Sequence, residues 1–215
     1  SKFVEGLRVT DIDTIKIVED VLANEINTEI VKSINDSGGN AIGLSGNVNN
    51  LISATKLKVE IKDSDSNIEK IVDIGFVGQP TDVNIDLINE HIQAGKIPVI
   101  APLGADKDKN SYNINADTAA GYIAGKLKAS KLLLLTDVAG VLGKDKNLIS
   151  SLTLDDAIKI TSEKFIVGGM KPKIATCINA MKNGVNKSTI LDGRIPHSVV
   201  LELFTEHGIG TQIYK

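Results

Sequence analysis

The 215-residue chain has no tryptophan, a single cysteine and three histidines, and only 3% of it is aromatic. Each scarcity closes off a class of chemistry. Cys177 alone excludes an internal disulfide and any multi-cysteine zinc site, and it suits a reducing, cytoplasmic setting. His91, His197 and His207 are scattered without metal-ligand spacing, so a histidine-based mechanism has little footing. Few aromatics leave few stacking platforms for single-stranded nucleic acid, and a formal net charge of -3 gives no attraction to nucleic acid or to an anionic membrane surface. No apolar run reaches membrane-spanning length, and no signal-peptide pattern is expected. The expectation is a soluble cytoplasmic protein, large enough to bury a substantial core, with neither nucleic acid nor membrane as partner.

What is present is an alternation of strands and helices. Thr10-Asp11 offers an N-cap to a helix with Ile12, Ile15, Val18, Val21 and Leu22 at helical spacing. A second helix is predicted over 27–35, stopped at Gly38-Gly39. A short strand follows at 41–45. Strands at 54–61 and 71–77 flank a polar tip, 63–67, as a small antiparallel excursion. Further helices are predicted at 85–94, 118–128, 154–160, 172–183 and 198–204, and strands at 188–191 and 210–213. The apolar runs at 97–101 and 132–135 suit parallel strands covered on both faces. Together these predict an α/β fold, a three-layer αβα sandwich with a mainly parallel central sheet. Residues 1–10 show neither an initiating Met nor an opening strand, so an N-terminal section is expected upstream.

Ligands of open α/β sheets collect at the carboxyl ends of the strands. Polar clusters fall at three such ends: Asn113 to Asp117, Thr136 to Val141, and Asp192-Gly193-Arg194. Farther on, Gly168-Gly169-Met170-Lys171-Pro172-Lys173 opens a helix with glycines that let backbone approach phosphates, and with a lysine suited to a transferring phosphoryl group. No Walker loop accompanies it. Ordinary roles compete for each residue. Asp117 serves equally well as a helix N-cap, Asn113 and Asn115 as turn residues, and Lys173 as a solvated helix lysine. Spacing does not choose between Lys171 and Lys173. Arg8 is either a surface residue or a planar fork for a carboxylate. Cys177 shares helical spacing with Ile174, Ile178 and Met181, which marks it as core.

The blocks Gly6-Leu7-Arg8-Val9-Thr10-Asp11, Gly43-Leu44-Ser45-Gly46, Gly75-Phe76-Val77-Gly78, Tyr112-Asn113-Ile114-Asn115-Ala116-Asp117, Thr136-Asp137-Val138-Ala139-Gly140-Val141-Leu142 and Gly168 to Lys173 occur here in order. With them the chain resembles the acetylglutamate kinases of the amino-acid-kinase family. The resemblance implies ATP-dependent phosphorylation of the side-chain carboxylate of N-acetyl-L-glutamate in arginine biosynthesis, with magnesium (Mg2+) accompanying ATP. It implies a single amino-acid-kinase domain, with roughly 1–112 from the acetylglutamate-binding lobe and 113–215 mainly the ATP-binding lobe. Arg8, Asn113 and Asn115 would bind substrate, Asp117 would organise the catalytic lysines, and Lys173 would stabilise the phosphoryl transition state. Nucleotide would be held by Thr136, Asp137, Val138, Ala139, Gly140, Val141 and Leu142, with Phe165, Ile166, Val167, Gly169 and Met170.

The resemblance further implies a homo-oligomer and, through Glu202 and backbone near Gly208, inhibition by L-arginine. For Glu202 the alternative is a solvent-facing helix residue, and Thr189 stands where arginine-inhibited members often have histidine. Neither the family's Lys-x-Gly-Gly turn nor its His-Gly-Gly-Gly-type loop occurs in these residues, so the chain by itself is expected to be weakly active or inactive. The rival expectations are a kinase for acetylated or carrier-linked aminoadipate, and a non-catalytic arginine-sensing subunit.

Overall fold

The computed structural model describes residues 3, 4, 7–62 and 69–215, with side chains described over 9–59 and 72–215. The chain forms two compact units, Ser1–Ala119 and Ala120–Lys215.

In the first unit, β1 (Phe3–Val4) and β2 (Leu7–Arg8) pair antiparallel, so the opening segment does form strands. Two-residue strands are too short to show the alternation by which strands are read from sequence. α1 (Ile12–Glu19) starts where its cap predicts, with the Asp11 carboxylate accepting from the Thr14 backbone N–H at 2.8 Å. The helical path then runs on through a π-helical segment, Asp20–Ile26, into α2 (Asn27–Asp36). No glycine or proline lies between Ile12 and Asp36, so nothing breaks the two predicted helices apart. β3 (Ala41–Ser45), β4 (Ile52–Lys62), β5 (Glu69–Val83), α3 (Ile85–Gln93), β6 (Ile97–Ala101), β7 (Leu103–Ala105) and β8 (Ser111–Asn113) complete the unit. The predicted polar tip at 63–67 lies outside the described residues.

β3 and β6 pair in parallel, whereas β4, β5, β8 and β7 close into a small barrel. The expectation that 97–101 is covered on both faces does not hold. Ile97 is 48% exposed and only Ala101 of this strand is buried. An apolar run records that a strand tolerates burial; a two-stranded sheet leaves much of it uncovered. Thr10, fully buried, bridges to β5 by donating to the Ile74 carbonyl and accepting from Phe76. Gly75, between them, has φ +80, and a Cβ there would overlap the Thr10 carbonyl.

α4 (Ala116–Lys126) carries the chain into the second unit, followed by β9 (Lys131–Thr136), β10 (Ser151–Thr153), α5 (Leu154–Ile160), α6 (Met170–Lys182), β11 (Lys187–Asp192), α7 (Ser198–Phe204) and β12 (Thr211–Tyr214). The sheet order is β10-β12-β11-β9, with β9 and β11 parallel, β10 and β12 parallel, and β12 antiparallel to β11. Its core includes Leu132, Leu134, Ile174, Met181, Ile190 and Ile213, and Cys177 is buried among them as its spacing predicts. The tetra-leucine run is covered unevenly, for Leu135 is 48% exposed. Among the described residues no helix is long and apolar enough to cross a membrane.

Candidate functional site

The second unit holds a cavity of about 280 Å³ where β9 ends and α6 begins. Val138, Leu142, Phe165, Ile166, Val167 and Met170 supply apolar walls, and Thr136, Asp137 and Lys173 supply polar groups beside Gly140 and Gly169. A mostly apolar pocket with a few convergent polar groups is the usual form of a small-molecule site. α6 opens at Gly169 with no side-chain cap and no acidic residue in its first turn, so the helix itself places no carboxylate at its positive end. Gly168 has φ +58, and neither it nor Gly169 has an atom within 4 Å of where a Cβ would stand. Lys173, one turn into α6, reaches the cavity wall; Lys171 does not line it.

This cavity gathers most of the residues expected to hold nucleotide, from two segments of chain. Ala139 is exposed and off the cavity wall. Val141 is fully buried in the core beneath the loop, so its side chain belongs to packing rather than to the cavity surface.

Beside Thr136, across the parallel pair of β9 and β11, stands Asp192. The Arg194 guanidinium clasps its carboxylate with Nε at 3.0 Å and Nη2 at 2.7 Å, and the Arg194 backbone N–H adds a third bond at 2.9 Å. These bonds pull the Asp192 carboxyl from its ordinary 3.8 down to about 2. The Arg194 guanidinium is held more firmly protonated, first by Asp192 and then more weakly by the charge of Asp137.

In the first unit, Asn113 closes β8, opposite Leu103 of β7 and Val77 of β5, and is half-buried. The N-cap of α4 is Asn115, not Asp117: Asn115 Oδ1 accepts from the Thr118 backbone N–H at 3.0 Å. Asp117 instead sits in the first turn of the helix, half-buried. The side chain of Arg8 lies outside the described residues.

The alternative of a solvent-facing Glu202 is overturned, for it is 4% exposed. Its Oε1 accepts from the Thr189 hydroxyl at 3.1 Å, and its Oε2 from the backbone N–H groups of Ile209 at 2.9 Å and Gly210 at 3.2 Å. Gly208 has φ +62, and a Cβ there would stand 2.5 Å from Glu202 Oε2.

A second cavity, about 390 Å³, lies in the first unit against the π-helical segment and the end of β3. There Asn47 donates to Glu19 at 2.7 Å and to Ser111 at 3.0 Å, and accepts from Ser45 at 2.5 Å. Sequence reasoning did not single out Asn47, because its partners lie as far as 64 residues away.

Residues 1–192 match the amino acid kinase family model. The chain belongs to the amino acid kinase family. Among its curated relatives, acetylglutamate kinase of Rhodospirillum centenum is 54% identical over 213 residues, 99% of this chain and 70% of that protein. Acetylglutamate kinase of Afipia carboxidovorans is 53% identical over the whole chain and 73% of its own length. Among solved structures, N-acetylglutamate synthase from Neisseria gonorrhoeae, complexed with coenzyme A and N-acetyl-glutamate, superposes with a TM-score of 0.83 at 26% identity. This chain is covered entirely and spans 46% of that synthase chain. The parallel pairs β3–β6 and β9–β11 are thus parts of an amino acid kinase fold.

Proposed function

We propose that this chain is an acetylglutamate kinase, transferring phosphate from ATP to the side-chain carboxylate of N-acetyl-L-glutamate in cytoplasmic arginine biosynthesis. The observation that carries this reading is Lys173, placed one turn into an uncapped, glycine-opened helix on the wall of a cavity faced by the Asp137–Leu142 loop. The identity of 54% to a named acetylglutamate kinase supports the substrate.

In this reading the apolar walls take the nucleotide base, and the α6 N-terminus with Lys173 takes the phosphates. Arg8, Asn113 and Asn115 hold acetylglutamate, and Asp117 orients the cationic groups. The attacking carboxylate is already ionised at neutral pH, so transfer needs positioning and charge neutralisation rather than a general base. Among the described residues no group of three or more His, Cys, Asp or Glu side chains gathers to cage a metal. Asp137, the carboxylate on the cavity wall, would help hold a magnesium ion that the nucleotide phosphates bring. The ion supplies charge neutralisation on the phosphates when bound.

We also assign L-arginine as an inhibitor received near Glu202 and Gly208. There the Glu202 carboxyl group accepts from the Thr189 hydroxyl and from the Ile209 and Gly210 backbone N–H groups.

The test is ATP-dependent phosphorylation of N-acetyl-L-glutamate by the full-length gene product, with acetylated aminoadipate as competitor and L-arginine titrated in. Lys173→Ala is expected to lower kcat by about 10²- to 10³-fold with melting temperature kept, as for loss of one transition-state donor. Equal turnover in wild type and Lys173→Ala would remove the lysine from the mechanism; preference for the aminoadipate derivative would change the substrate.

A further inference from the structure

Thr211, the first residue of β12, is fully buried and is not on the wall of the 280 Å³ cavity, yet its hydroxyl lies between two segments of the loop that borders it. Its Oγ1 accepts from the Val141 backbone N–H at 2.8 Å and donates to the Ile149 carbonyl at 2.6 Å. The directions are fixed by chemistry, because an amide N–H only donates and a carbonyl only accepts, and a hydroxyl supplies the one proton needed. Val141 and Ile149 face one another, for Ile149 donates directly to the Val141 carbonyl at 2.9 Å. In an ordinary antiparallel pair the reciprocal bond would run from Val141 N–H to the Ile149 carbonyl. Here that bond passes through the Thr211 hydroxyl instead.

The insertion needs room and a rigid base. Gly140, at φ +151, provides the room, since a Cβ there would come within 2.6 Å of Thr211 Oγ1. β12 provides the base, as an inner strand of its sheet paired to both β11 and β10. Just before it, the Ile209 and Gly210 N–H groups are tied to the buried Glu202 carboxylate. Asp137, Val138, Gly140 and Leu142 of this anchored loop border the cavity.

We propose that Thr211 is a positioning residue for nucleotide binding, whose hydroxyl is inserted into the Val141–Ile149 pair and sets the wall formed by residues 137–142. This rests on the reading of that cavity as the nucleotide site. Thr211→Val keeps the shape and removes both bonds, leaving a buried N–H and a carbonyl without partners. Thr211→Ser keeps the hydroxyl.

The experiment uses the full-length gene product and measures ATP affinity by calorimetry, acetylglutamate KM and kcat, and amide hydrogen exchange at Val141. In Thr211→Val we expect ATP Kd to rise about tenfold, the scale of one or two lost buried hydrogen bonds. Exchange at Val141 should speed up, acetylglutamate KM should stay put, and Thr211→Ser should restore ATP affinity to within about threefold. A Thr211→Val protein that binds ATP like wild type, or one whose acetylglutamate KM and kcat worsen as much as its ATP Kd, overturns the positioning role. So does a Thr211→Ser protein no better than Thr211→Val. If wild type binds no ATP, the nucleotide reading fails with it, and faster Val141 exchange in Thr211→Val then identifies the hydroxyl as a loop clamp alone.

Discussion

Arg194 holds Asp192 by a bidentate pair and a backbone N–H, and the carboxyl titrates at about 2 instead of 3.8. The folded value lies below the unfolded one, so the clasp contributes stability that is complete above about pH 4 and is lost as pH falls through about 2. Arg194→Ala should therefore lower stability at neutral pH, with the difference from wild type shrinking between about pH 4 and pH 2. Urea unfolding at several pH values reads this directly; a gap independent of pH would mean Arg194 acts through packing instead. The sequence placed both residues at a strand end. It did not say that Asp192 would be spoken for by Arg194 rather than offered to a ligand. That depends on the chain turning back at Gly193, whose N–H bonds the Thr136 carbonyl at 2.9 Å.

Elements differ in how openly their sequence announces them. α5 and α7 fall on the predicted 154–160 and 198–204, and α1 begins at its predicted cap. β7 and β8 went unread, being three residues each in a polar, glycine-containing stretch that gains strand geometry only by closing the barrel. Gly75 shows the same dependence. Its φ of +80 sits inside a long strand because Thr10 crosses there, and its Cβ position is already occupied by the Thr10 carbonyl. Gly75→Ala should cost at least about 2 kcal/mol, combining backbone strain of order 1–3 with a clash against backbone. Gly95 is the control: φ is +70 but nothing lies within 4 Å, so Gly95→Ala should show the strain alone. Equal losses in chemical denaturation would mean the Thr10 crossing yields to the methyl group.

For the whole molecule, ligand linkage offers the broadest check. ATP binding the folded chain at a hundred times its Kd should add about 2.7 kcal/mol to stability. Hydrogen exchange should place its protection at 136–142 and 165–173 rather than across the Ala120–Lys215 unit at large. Protection elsewhere would move the nucleotide out of this cavity. The sequence by itself determined the α/β alternation, the ends of α5 and α7 and the family, because a helix closes its hydrogen bonds within four residues and a motif is contiguous. It also placed Lys173 near a helix N-terminus, though it left Lys171 as a rival. Only the tertiary structure put Lys173 rather than Lys171 on the cavity wall, buried Glu202 against Thr189, and joined Thr211 to Val141 across 70 residues. Those choices depend on which strands lie side by side, and strand pairing is fixed by packing between segments that no local window contains.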